Sequence, residues 1–180
     1  MINQRLFKHY DSYLETKCEV VSIAGTYVYP IYEVGYQSLM NDADMVFTNE
    51  QITACPTITV LLRDPVERFN SCVCAYAKQH KKDLGNVYEK IKKGKIVDRM
   101  FMPQYMWLQH LSKHYQGMVH LRTFDVIDEI TSLYREDNSP QAQIQPIKEY
   151  INIDKKLLKE VNQTVKLEEI VRKYLGRFLF

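Results

Sequence analysis

Two stretches of this 180-residue sequence place side chains where chemistry could be done. The first is Thr57 to Ser71, TITVLLRDPVERFNS. It opens on an almost wholly apolar run, as suits a strand buried on both faces, and Pro65 sits where a helix accepts a proline in its first turn. Arg63 therefore stands just past the carboxyl end of a buried strand, where open α/β sheets bind ligands, and its cation suits a phosphate. Ser71 lies about two turns into the helix, with its hydroxyl available to the same anion. On the same residues, Arg63 could instead pair with Asp64 or Glu67 and merely close the strand. The second stretch is Tyr29 to Leu39, YPIYEVGYQSL. A strand runs into Val34 and Gly35, and a helix starts near Gln37 and Ser38. Gly35 can take a positive φ that turns backbone N–H groups toward an anion, and a helix N-terminus would add unpaired donors.

The run from Leu62 to Ser71 closely resembles the 3′-phosphate-binding motif of PAPS-dependent sulfotransferases. It is most similar to their carbohydrate (membrane-type) branch, which reads R-D-P-x-x-R-x-x-S after a buried strand. The resemblance carries the family's phosphate-holding roles to Arg63 and Ser71. Tyr32 to Leu39 is similar to the phosphosulfate loop K-x-G-x-T-S-L, with Gly35, Ser38 and Leu39 matching, and this places Gly35, Tyr36, Gln37 and Ser38 around the donor. Asp98 to Gln104 resembles the branch's D-x-H-F-x-P-Q run, Val161 to Thr164 its H-V-N-x-S/T segment, and Phe124-Asp125 stands at its F/Y-E position. The likeness covers residues 27–178. It implies a P-loop-like three-layer α/β domain with a central, mostly parallel sheet. It also implies that PAPS or PAP is bound and that a sulfuryl group passes to a hydroxyl or amine of a carbohydrate or small acceptor, with no metal.

The departures from the family pattern fall at catalytic positions. Glu33 stands where the loop has lysine, and a carboxylate there repels a phosphosulfate in a dry site. Met100 stands where the branch carries a histidine base, and a thioether cannot take a proton. Gln37 replaces a threonine. Arg68 and Arg99 are the candidate substitute cations, and Glu33 is itself a candidate base, so Glu33 and Arg99 are the catalytic expectations. The alternative is a catalytically silent sulfotransferase-fold module that binds a nucleotide or a partner. No G-x-x-x-x-G-K-[ST] run supports a nucleotide kinase.

The elements that must hold these residues are legible from composition and pattern. With 46% hydrophobic and 26% charged residues the chain reads as one globular domain over residues 1–180. Lys and Arg total 24 against 22 Asp and Glu, which argues against a strongly basic nucleic-acid binder. No apolar run approaches the ~20 residues that span a bilayer, and the charged start is unlike a signal peptide, so a cytoplasmic protein is expected. Strands are predicted over 26–32, 57–62 and 118–122, with a weaker one over 44–48. Helices are predicted over 37–43, from Pro65, and over 86–93, 103–114, 124–134 and 167–175, with a polar loop over 135–146. Strands alternating with helices argue for an α/β sheet. Cys18, Cys55, Cys72 and Cys74 read as reduced core thiols, because the two in C-x-C point about 200° apart on a helix. His110 and His114 share a helix face without the glutamate of a zinc motif, and two lysine clusters, 78–82 and 90–95, read as solvated helix ends or as an electropositive rim.

Overall fold

Thr57-Ile58-Thr59-Val60-Leu61-Leu62 offers neither face of a strand anything that gains from water. In the computed structural model, which describes residues 10–131 and 148–175, these residues form strand β4 (Thr57–Leu62), buried throughout except at Thr57. Successive residues point to opposite faces, so both faces of the sheet are covered here. The same holds for β1 (Glu19–Ile23), buried from Val20 onward.

The sheet has six strands in the order β3-β1-β2-β4-β5-β6, where β2 is Thr26–Tyr29, β3 is Met45–Thr48, β5 is Met118–Thr123 and β6 is Gln163–Lys166. Its heart is parallel: β4 pairs with β2 (Val28↔Thr59) and with β5 over its whole length, Thr57↔Met118 to Leu62↔Thr123. The other three pairings, β1–β2, β1–β3 and β5–β6, are antiparallel. The expectation of a mostly parallel sheet is corrected accordingly: the fold is α/β with a mixed, mostly antiparallel sheet flanked by helices. The reason is local. Ala24 and Gly25 both take positive φ, 47° and 81°, and make a two-residue turn that can only return the chain antiparallel. The Asp44 carboxylate accepts the Ala24 N–H at 2.8 Å and steadies that turn.

The helices are α1 (Tyr36–Asn41), α2 (Pro65–His80), α3 (Leu84–Lys92), α4 (Gln104–Ser112), α5 (Ile127–Ile130), α6 (Lys148–Leu157) and α7 (Leu167–Leu175). Strands β1 and β6 and helix α6 are additions to the sequence reading. The helix expected over 124–134 is a 3₁₀ turn, Phe124–Val126, followed by the short α5, and the polar loop expected over 135–146 lies outside the described residues. No helix among the described residues is long and apolar enough to cross a membrane.

Helix α2 starts where its caps dictate. Asp64 accepts the N–H groups of Val66 and Glu67 at 2.9 and 3.1 Å, Pro65 opens the first turn, and Lys81 closes the last in the left-handed conformation. Its buried stripe is Pro65, Arg68, Phe69, Cys72, Val73 and Ala77. Helix α4 is buried on nearly every side rather than on one face, with Trp107 and Tyr105 in the core. Its N-cap residue, Pro103, has no side chain with which to cap. Asp154 of α6 supplies the missing acceptor, taking the N–H groups of Gln104 and Tyr105 at 2.8 Å each.

Burial pushes the Asp154 carboxyl up to about 6, against the opposing pull of those amides and of Arg68. The folded chain thus holds this proton more tightly than the unfolded chain does, and the ionisation penalty, complete above pH 6, is relieved as pH falls toward 4. Relative to an Asp154→Asn variant, the wild-type unfolding free energy is expected to improve by about 2 kcal/mol between pH 7 and pH 4 in urea titrations. A difference that does not change with pH would contradict this.

Candidate functional site

Parallel strands end at the same edge of a sheet, and β2, β4 and β5 bring three connections together there. After β2 comes the loop Pro30 to Gly35, after β4 the Arg63-Asp64-Pro65 entry to α2, and after β5 the Phe124–Val126 turn. Both stretches singled out in the sequence are thereby joined. Ser71 donates its hydroxyl to Glu33 Oε2 at 2.7 Å, and Arg63 Nη1 donates to the Glu33 backbone carbonyl at 3.3 Å. Glu33 adopts φ 58°, the left-handed region that glycine occupies without cost.

Arg63 has a half-buried side chain placed between opposed groups. Its guanidinium lies 5.0 Å from the centroid of the Phe124 ring, and Nε faces Glu67 Oε2 at 3.8 Å, an ion pair longer than a hydrogen bond. The Glu67 pairing considered from sequence is thus present. The Asp64 carboxylate is instead occupied with capping α2. A cleft of about 460 Å³ opens beside Arg63 between the ends of β4 and β5. Phe124, Asp64, Glu67, Asp125 and Asp128 line it with Arg63, so one cation faces four carboxylates. Ser71 and Glu33 are not among its walls.

Gly35 takes φ 71°, as expected, but for a reason beyond the turn itself. A Cβ built there would lie 2.1 Å from Ile127 Cδ1 and 3.3 Å from the Phe124 ring, so only glycine lets the β2 loop approach the β5 turn. Helix α1 is six residues long, close to the seven expected over 37–43. Gln37 is exposed and donates to Asn41 at 3.0 Å. Ser38 is half-buried in the first turn of α1, and its carbonyl accepts the Asp42 N–H.

Tyr36 stacks on Tyr32 with ring centroids 4.4 Å apart, and burial is the main cause that lifts its phenol above the ordinary value. Arg99 reaches the loop through Tyr32: Nη2 donates to the Tyr32 hydroxyl at 2.5 Å, and its guanidinium lies 4.9 Å from the ring centroid. Arg68, the other candidate cation, is 3% exposed and committed to carbonyls, donating from Nε to Tyr32 at 2.9 Å and from Nη2 to Met100 at 3.0 Å.

The remaining candidates are structural. All four cysteines are free and buried, and burial pushes Cys18 and Cys72 up to about 12. His110 uses both ring nitrogens. The Thr16 carbonyl can only accept, so Nε2 carries the proton (3.0 Å) and Nδ1 accepts the Tyr29 hydroxyl at 2.6 Å. Burial lowers its pKa, which keeps the ring neutral. Among the described residues no three His, Cys, Asp or Glu side chains converge as a metal site. The lysines of 78–82 and 90–95 are exposed apart from the half-buried Lys90. Two residues that hold the site were not singled out for a role: Gln104, which ends the stretch resembling D-x-H-F-x-P-Q and pairs with the Arg63 backbone, and Asp154. An aspartate in a helical run is unremarkable until the chain is folded.

Arg63 and Ser71 converge on Glu33, as groups that would hold one phosphate of the expected donor must, but the Glu33 carboxylate takes the Ser71 hydroxyl and four further carboxylates line the cleft beside Arg63. No family model, no curated protein and no solved structure matches the chain.

Gly35→Ala is expected to destabilise the fold by roughly 2–4 kcal/mol, from left-handed strain plus overpacking against Ile127. Gly25→Ala, where a Cβ meets nothing within 4 Å, carries the strain alone at about 1–2 kcal/mol. Equal losses in thermal unfolding would mean that the loop yields to Ile127 and that the close approach does not matter.

Proposed function

We propose that the chain is a sulfotransferase-like, P-loop-related protein that binds PAPS or PAP at the carboxyl ends of β2 and β4, and transfers a sulfuryl group to a hydroxyl or amine of a carbohydrate or small acceptor. The observation that carries this reading is the meeting of Arg63 and Ser71 with the Gly35 loop. The family resemblance assigns those two residues to one phosphate. What supports the assignment is that Arg63, just past β4, and Ser71, in the second turn of α2, both hydrogen-bond Glu33 in the loop after β2. PAPS supplies the sulfuryl group and leaves as PAP. In this reading Arg63 and Ser71 orient the nucleotide by its 3′-phosphate, and Glu33, once Ser71 turns to that phosphate, has a free carboxylate for the acceptor proton.

A second reading, a nucleotide- or partner-binding module without turnover, is favoured by one observation. The Glu33 carboxylate already occupies Ser71 at 2.7 Å, so the chain's own anion sits where the nucleotide's would. At an effective dielectric of about 20, two unit charges 4 Å apart repel by about 4 kcal/mol, enough to weaken a phosphate severely.

Calorimetric titration with PAP, together with a sulfate-transfer assay over hydroxyl and amine acceptors, separates these readings. Arg63→Ala is expected to weaken PAP by roughly 10- to 100-fold, the worth of a charge-assisted hydrogen bond or two. Glu33→Gln is expected to strengthen PAP at least tenfold. Loss of transfer in the same variant marks Glu33 as the base, whereas transfer absent from both proteins marks the silent module. Wild-type and Arg63→Ala chains that both ignore millimolar PAP would overturn the nucleotide site altogether.

A further inference from the structure

Arg63 does not hold its position unaided. Its N–H donates to Gln104 Oε1 at 2.9 Å and its carbonyl accepts from Gln104 Nε2 at 2.8 Å. One carboxamide thus pairs with both polar groups of a single residue, as a neighbouring strand would. This happens one residue past the end of β4, where the ladder with β5 ends at Leu62↔Thr123. Gln104 is 1% exposed and is the first residue of α4. Flipping its amide would set donor against donor and acceptor against acceptor, so its orientation is determined.

The position of Gln104 is set in turn by Asp154. The carboxylate, 2% exposed, accepts the backbone N–H groups of Gln104 and Tyr105 through its two separate oxygens. We propose that Asp154 and Gln104 are positioning residues of the anion site: Asp154 fixes the first turn of α4, and Gln104 transmits that placement to the backbone of Arg63. Neither residue touches the nucleotide, and the effect on binding rests on the reading of Arg63 given above. The relay itself is a property of the fold.

The relay is sensitive to one proton. The groups facing Asp154 are the Arg68 guanidinium from α2 and, from α4, the two amides and the Gln104 carboxamide. Burial opposes the charge on Asp154, and protonation leaves a neutral carboxyl that accepts amide protons more weakly than a carboxylate does. The first turn of α4 is then held less firmly, and with it the clamp on Arg63.

The test follows the Arg63 backbone amide by nuclear magnetic resonance from pH 5 to pH 8, beside PAP affinity over the same range, in wild type, Asp154→Asn and Gln104→Met. In the wild type the Arg63 amide shift is expected to titrate with a midpoint near 6, and this step should vanish in Asp154→Asn. At pH 7.5 both variants should bind PAP five- to tenfold more weakly with unchanged circular dichroism. The affinity ratio of wild type to Asp154→Asn should narrow toward one below pH 5.5, a comparison in which the ligand's own titration cancels. An Arg63 amide that ignores pH, or variants that bind PAP as the wild type does, would overturn the relay. If Asp154→Asn does not fold, Gln104→Met alone decides the affinity arm. If the wild type binds no PAP, the functional reading fails and the relay is judged on the Arg63 amide titration alone.

Discussion

A guanidinium that is permanently charged and 3% exposed has to find its partners within the protein, and Arg68 is the charge around which this molecule is arranged. Left unpaired, such a buried charge would cost several kcal/mol. Its donors end on two carbonyls from separate segments, Tyr32 in the loop after β2 and Met100 in the turn before α4. Cys72, one turn further along α2, donates its thiol to the same Met100 carbonyl. Asp154 supplies the balancing negative charge from α6. Loop, turn and two helices are thereby joined, and the backbone of Glu33, one residue beyond Tyr32, is held next to Arg63.

That arrangement explains why the positive charge of the sequence does so little at the site. Arg68 is committed to carbonyls and Arg99 to Tyr32, which leaves Arg63 to face Asp64, Glu67, Asp125 and Asp128 in the cleft. The lysines of 78–82 and 90–95 lie at the far end of α2 and on α3. Sixteen residues of helix separate the first group from Arg63 by roughly 24 Å, beyond two Debye lengths at physiological salt. Whether an anion binds is therefore decided locally, by Arg63 and Ser71 against Glu33. The left-handed backbone at Glu33 belongs to the loop and does not depend on the residue's charge, so a lysine there would project from the same place.

Much of the frame was legible before folding, and for clear reasons. Strand β4 and helix α2 announce themselves by an unbroken apolar run and an Asp-Pro start, and Leu167–Leu175 by its helical period. Strand β1 escaped because Ala24-Gly25 is not one of the usual hairpin dipeptides, and without that hairpin the sheet looked mostly parallel. Strand β6 escaped because its pattern is polar and mostly exposed, and it is placed by antiparallel pairing with β5 from Met118↔Lys166 to Leu121↔Gln163. At the site, Arg63, Ser71 and the loop of Glu33 and Gly35, joined beforehand only by the resemblance, do meet, since β2 and β4 are parallel and end at the same edge of the sheet. Spacing could not show that Arg68 is buried, that Gln37 turns outward, or that Gln104 and Asp154 stand behind Arg63. Those facts depend on which helix packs against which.

The most direct test of the central claim is a map of backbone amide shifts as PAP is added to the intact chain. The account predicts shifts concentrated at Tyr32 to Gln37 and at Arg63 to Ser71, growing at lower PAP in Glu33→Gln. Shifts confined to the lysines of 78–82 and 90–95, or none at all, would contradict it.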